Sequence, residues 1–130
     1  MKILAIRTDK PEAELYLYED EEQLAELKWQ AHRELAKTIH LKLDEILNIS
    51  SISLAEIDGV VVFKGPGSFT GLRIGLSVGN VLAYAQAIPI VATGGKNWVT
   101  IGITKVQKGK GDKIAIPKYS TPAATTQPRK

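Results

Sequence analysis

Two stretches of the chain are apolar without interruption, Ile3-Leu4-Ala5-Ile6 and Val60-Val61-Val62-Phe63, the pattern of strands covered on both faces. Between them the periodicity changes twice. Glu14 to Glu19 alternates, Leu15 and Leu17 against Tyr16 and Tyr18, and predicts a half-exposed strand. Asp20-Glu21-Glu22 is a charged turn, and Gln23 to Trp29 predicts a third strand, so Lys2–Thr8 opens an antiparallel meander. From His32 to Ile49 the period becomes helical. Leu35, Ile39, Leu43, Ile46 and Leu47 form one stripe about 120° wide, with Leu41 off it. Asn48 to Ser51 ends that helix, and Ser53-Leu54-Ala55-Glu56 has the spacing of a capped helical turn.

The second apolar run breaks at Gly65-Pro66-Gly67, and a helix is predicted from Phe69-Thr70 onward with Ser68 as its hydroxyl cap. Only Asn80, Arg73, Tyr84 and Ser77 form a polar strip on this helix. Its apolar or small arc is roughly 240°, where one buried face needs about 100°. Such a helix is covered on two sides, by its own sheet and by a second helix or another chain. Gly71, Gly75 and Gly79 share one ridge, although each interior glycine costs about 0.5–1 kcal/mol against alanine. The ridge admits two readings, close packing inside the domain or contact with a partner, and the width of the arc favours the partner. The expected interface is then Gly71, Leu72, Gly75, Leu76, Gly79 and Ala83, with Leu41 from the first helix.

Ile88 to Ala92 predicts a further buried strand, which closes a right-handed βαβ unit with parallel strands. A meander, a helix and a βαβ unit make an α/β, ribonuclease H-like domain with a mixed sheet and two main helices, as in each half of actin-like ATPases. It is expected over residues 1–96. Ile101–Val106 and Lys113–Ile116, joined by KGKGD, predict a basic β-hairpin in a short stub over 97–116. Pro117, Pro122 and Pro128 among Ser, Thr and Lys predict a flexible tail over 117–130.

Composition narrows the chemistry. A length of 130 residues suits one domain with a real core. The chain has no cysteine, which excludes disulfides, thiolate catalysis and cysteine metal sites. It has no apolar run long enough for a membrane span, and Met1–Lys10 turns polar too early for a signal peptide, so a cytoplasmic protein is expected. Charge is uneven: residues 1–100 carry ten Lys/Arg against thirteen Asp/Glu, whereas residues 101–130 carry seven against one. Lys105, Lys108, Lys110 and Lys113 are therefore candidates for sequence-independent nucleic-acid phosphate contact.

A strand, a glycine turn and a helix in succession present backbone amides to an anion. Arg7, Thr8, Gly65, Gly67 and Ser68 are the candidate anion-binding residues. The turn lacks the Lys-Ser/Thr of a P-loop, and Ser68 does not sit in a Gly-x-Ser-x-Gly elbow. His32 and His40 stand two turns apart, too far to share an ion, so neither a metal nor another cofactor is expected.

Gly65-Pro66-Gly67-Ser68-Phe69-Thr70-Gly71-Leu72-Arg73-Ile74-Gly75 resembles the signature of the TsaB (YeaZ) family, and the similarity runs from Met1 to about Gly94. That family supplies a subunit of the bacterial machinery making threonylcarbamoyladenosine in tRNA, beside the anticodon. The resemblance implies the actin-like fold and a non-catalytic scaffold whose helices pack on TsaD as a heterodimer. It also implies a wider complex including TsaE and an alternative homodimer. Two departures stand out. Relatives commonly begin the first turn with Asp-Thr, where this chain has Arg7-Thr8-Asp9, a cation in place of a magnesium-organising carboxylate. Relatives also continue into a second α/β half, where only Asn97 to Lys130 remain here. The competing expectation is a small nucleotide- or anion-binding hydrolase using the Gly65–Ser68 turn.

Overall fold

A computed structural model describes residues 1–67 and 69–109, apart from the side chains of His32 and Phe69. The strands are β1 (Lys2–Arg7), β2 (Glu12–Glu19), β3 (Glu22–Gln30), β4 (Gly59–Phe63) and β5 (Ile90–Thr93). The helices are α1 (Leu35–Ser50), α2 (Phe69–Gln86) and α3 (Trp98–Gln107). The five strands form one mixed sheet in the order β3-β2-β1-β4-β5. β1–β2 and β2–β3 are antiparallel, and β1–β4 and β4–β5 are parallel. This is the ribonuclease H-like, actin-like arrangement that the periodicity predicts.

Register explains which side chains reach which layer. Leu4 pairs with Leu17 and Val60, and Ile6 with Leu15 and Val62, so these six share one face. α1 and α2 cover that face. Ile39 and Ile46 of α1 are fully buried, and Leu35 and Leu43 nearly so, which is the predicted stripe. Ser51, in the left-handed region at φ +55, ends α1 with its N–H on the last carbonyls. Glu56 Oε2 accepts from Ser53 N at 3.0 Å and from Ser53 Oγ at 3.1 Å, the expected capped turn before β4.

The opposite face, with Ala5, Tyr16 and Val61 in register, is covered over β4 and β5 by α3. Residues 101–106 are thus helical rather than a strand of a hairpin. Trp98, Gly102, Ile103 and Val106 recur at helical spacing and are buried, with Gly102 directly against Val61. Residues 113–116 lie outside the described residues. β5 begins at Ile90, two residues later than expected, because Ile88 N–H caps the end of α2 at Ala83 O (2.9 Å).

Candidate functional site

The parallel strands β1 and β4 end on the same edge, and their outgoing loops meet there. Arg7, the last residue of β1, donates from Nε to Asp9 Oδ1 at 2.7 Å and from Nη2 to Oδ2 at 3.2 Å. Its guanidinium also lies over the Phe63 ring, 3.9 Å from the centroid. Phe63 packs edge-on against Trp98 at 5.7 Å, and Trp98 against Tyr16 at 6.2 Å. The hydrogen bond to Asp9 raises the Arg7 pKa against the opposing effect of burial.

A second polar group adjoins this pair. Glu14, buried and in register with Arg7, accepts from Tyr16 Oη at 2.6 Å and Lys10 Nζ at 3.1 Å. Burial alone would raise its pKa, but the bonds from Tyr16 and Lys10 outweigh it and hold the carboxyl below its ordinary value. Burial, with the Glu14 charge beside it, pushes the Tyr16 hydroxyl well up. Charges here are compensated within the fold.

Of the expected anion-binding residues, Arg7, Thr8, Gly65 and Gly67 lie at this edge, and the side chains of Arg7 and Thr8 are engaged internally. Arg7 is held by Asp9, and Thr8 is buried with its hydroxyl donating to Gly71 O at 2.7 Å. Gly65 has φ +103, which only glycine adopts at ease. A Cβ on Gly94 would stand 2.6 Å from Gly65 O, so the β5 loop closes on the same turn. Asp9 packs on Gly67, where a Cβ would collide with its own. Ser68 lies outside the described residues. Among the described residues no group of three or more His, Cys, Asp or Glu converges in a way that could hold a metal ion. Asp9 is the participant that sequence reasoning missed, although its i, i+2 spacing from Arg7 at the end of a strand is the signal for it.

The expected partner interface requires a correction. Leu72, Leu76 and Ala83 are buried against the chain's own core. A Cβ on Gly75 would meet Thr8 Oγ1, and one on Gly79 would stand 2.7 Å from Val62 Cγ2 and 3.2 Å from Ile90 Cδ1. The carbonyl of Gly71 receives the Thr8 hydroxyl. Gly71 is half-buried at the start of the ridge; the other five positions seat α2 on the sheet and do not present an outer surface. Leu41 does, at 68% exposure.

The wide apolar arc of α2 has a second flank, however, where Val81 is 63% exposed and Ile74, Val78 and Leu82 are half-buried. Tyr84, from the polar strip, is 88% exposed. Between α1 and α2 lies a groove of ≈ 430 Å³ lined by Ala36, Ile39, His40, Arg73, Ile74 and Val78, among others. On α1, Leu41 and Ile49, the latter 57% exposed, are the large apolar side chains left open to solvent. On the opposite side of the sheet, Lys105 and Lys108 are exposed beside Thr100, Ile101 and Thr104. Lys110 and Lys113 lie outside the described residues. No helix among the described residues is long and apolar enough to cross a membrane.

Residues 29–93, half of the chain, match the family model described as "TsaD: tRNA N6-adenosine threonylcarbamoyltransferase". The chain is 38% identical over 63 residues to the tRNA threonylcarbamoyladenosine biosynthesis protein TsaB of Haemophilus influenzae, covering 45% of this chain and 27% of that protein. It is 34% identical over 91 residues to TsaB of Escherichia coli K12, covering 70% of this chain and 39% of that protein. The solved structure of YeaZ from Pseudomonas aeruginosa superposes with a TM-score of 0.67 at 25% identity, over 72% of this chain and 43% of that one. The chain thus spans less than half the length of each of these relatives.

Proposed function

The chain belongs to the family that joins TsaB (YeaZ) and TsaD, and from that premise we propose that it is a TsaB-type, non-catalytic subunit for threonylcarbamoyladenosine formation in tRNA. It acts in the cytoplasm as a scaffold that holds TsaD through the outer face of α1 and α2, within the wider complex that includes TsaE. One observation carries this reading. Tyr84, Val81 and Leu41 are exposed on the two helices that flank an open groove, and large side chains left exposed on such helices favour an interaction surface there.

The chemistry of the strand-end loops supports the non-catalytic part. Arg7 and Asp9 neutralise each other, and Thr8 and Glu14 are committed to internal bonds, so no side chain among these four is poised as nucleophile or base. Lys105 and Lys108, on the far side of the sheet, leave the α1–α2 face unobstructed and are placed for weak tRNA phosphate contact.

Co-purification tests the scaffold role. Tagged chain should retain TsaD, and the double substitution Val81→Asp with Tyr84→Asp should release it while leaving circular dichroism unchanged, since both side chains are exposed. Wild-type chain that forms a stable dimer and ignores TsaD would replace this reading with self-association. Retention of TsaD by the folded double variant would move the contact off this face.

A further inference from the structure

The Asp9 carboxylate stands between the end of β1 and the glycine turn. Its two oxygens take the Arg7 fork side by side, the geometry with which guanidinium holds either a carboxylate or a phosphate. The side chain is 8% exposed, against 22% for Arg7. A Cβ on Gly67 would lie 3.2 Å from Asp9 Oδ2 and 3.3 Å from Cγ, so the turn has no side chain there and the carboxylate uses the room.

We propose that Asp9 is a built-in oxyanion: its carboxylate fills the phosphate position beside the Gly65–Gly67 turn, and Arg7 is the group that would hold a phosphate there in its absence. Two features beyond the ion pair support this. The guanidinium is clamped over Phe63, itself wedged on Trp98, so Arg7 keeps its place independently of Asp9. Lys10 and Glu14, also nearby, are bonded to each other. Removing the Asp9 carboxylate therefore leaves the Arg7 charge without its partner. A phosphate approaching the intact protein meets a carboxylate already in possession, and like-charge repulsion excludes it. The consequence is a fold of the ATPase type closed to nucleotides by its own chain.

Titration with inorganic phosphate, followed by calorimetry and by the NMR shift of Arg7 Nε–H, tests this. Wild-type protein should show no saturable binding at millimolar phosphate, and its Arg7 Nε–H signal should stay fixed. Asp9→Ala should bind phosphate at least about ten-fold more tightly than wild type. Arg7→Gln added to Asp9→Ala should remove that gain. Asp9→Asn, which keeps the packing on Gly67, should show a smaller gain and serves if Asp9→Ala folds poorly. Wild-type binding equal to that of the Asp9 variants, a wild-type Arg7 signal that moves with phosphate, or a gain that survives loss of Arg7 would each overturn the proposal.

Discussion

Thr8 Oγ1 donates a 2.7 Å hydrogen bond to the Gly71 carbonyl, and the same side chain fills the space that a Cβ on Gly75 would need. One residue of the β1 loop therefore seats the first turns of α2 on the sheet. Thr8→Val keeps the shape and removes the donor. It should lower stability by about 1 kcal/mol, the usual worth of one internal hydrogen bond, as measured by urea unfolding.

Gly79 makes the same point from the other side. Leucine there must displace Val62 and Ile90, and overpacking a core of this kind costs about 1–3 kcal/mol. The helix propensity regained is at most about 1 kcal/mol. Gly79→Leu should lower the melting temperature and leave TsaD binding by the folded fraction unchanged. A variant of unchanged stability that loses the partner would return the glycine ridge to the interface.

Neighbours in α1 should separate cleanly. Ile39 is fully buried and Leu41 is 68% exposed. Ile39→Ala should cost about 2–5 kcal/mol, whereas Leu41→Lys should stay within about 0.5 kcal/mol of wild type. Thermal and urea melts of the two variants check both values, and pull-down of TsaD by Leu41→Lys reports whether that side chain belongs to the docking face.

Much of the sheet is legible because its signals are local. Val60 to Phe63 is apolar at every position, and Leu15 and Leu17 alternate with Tyr16 and Tyr18, so burial follows from the pattern alone. The Ser53–Glu56 capping box is likewise written in four residues. The direction of the α2 ridge is not local. A stripe of glycines records that something comes close, but whether it is Val62 of the same chain or a partner depends on contacts distant in sequence. Ile101–Val106 misleads for a related reason. Its alternating apolar positions imitate a strand, and only Trp98, upstream of the run, restores the helical spacing. Asp9 escaped because a carboxylate beside a cation normally reads as a solvated pair, whereas here Phe63 and the glycine turn cover most of both side chains.

Glu14 gives the fold a dependence on acid. Its folded-state pKa is held below the ordinary value by Tyr16 and Lys10 despite burial. A carboxyl shifted in that direction contributes stability that is fully present above the unfolded value, about 4.3, and lost as pH falls through the lower folded value. Urea midpoints measured from pH 7 down to pH 3 should therefore drop more for wild type than for Glu14→Gln, which has no carboxyl to protonate. Tyr16→Phe removes the 2.6 Å donor to Glu14 and so brings the folded pKa back up. Its acid loss should be complete at a higher pH than in wild type and should be smaller in total. Parallel curves for wild type and Glu14→Gln would show that the carboxylate contributes nothing through its charge. In that case the packing of Tyr16 on Trp98, which neither substitution removes, would be what holds this edge of the sheet together.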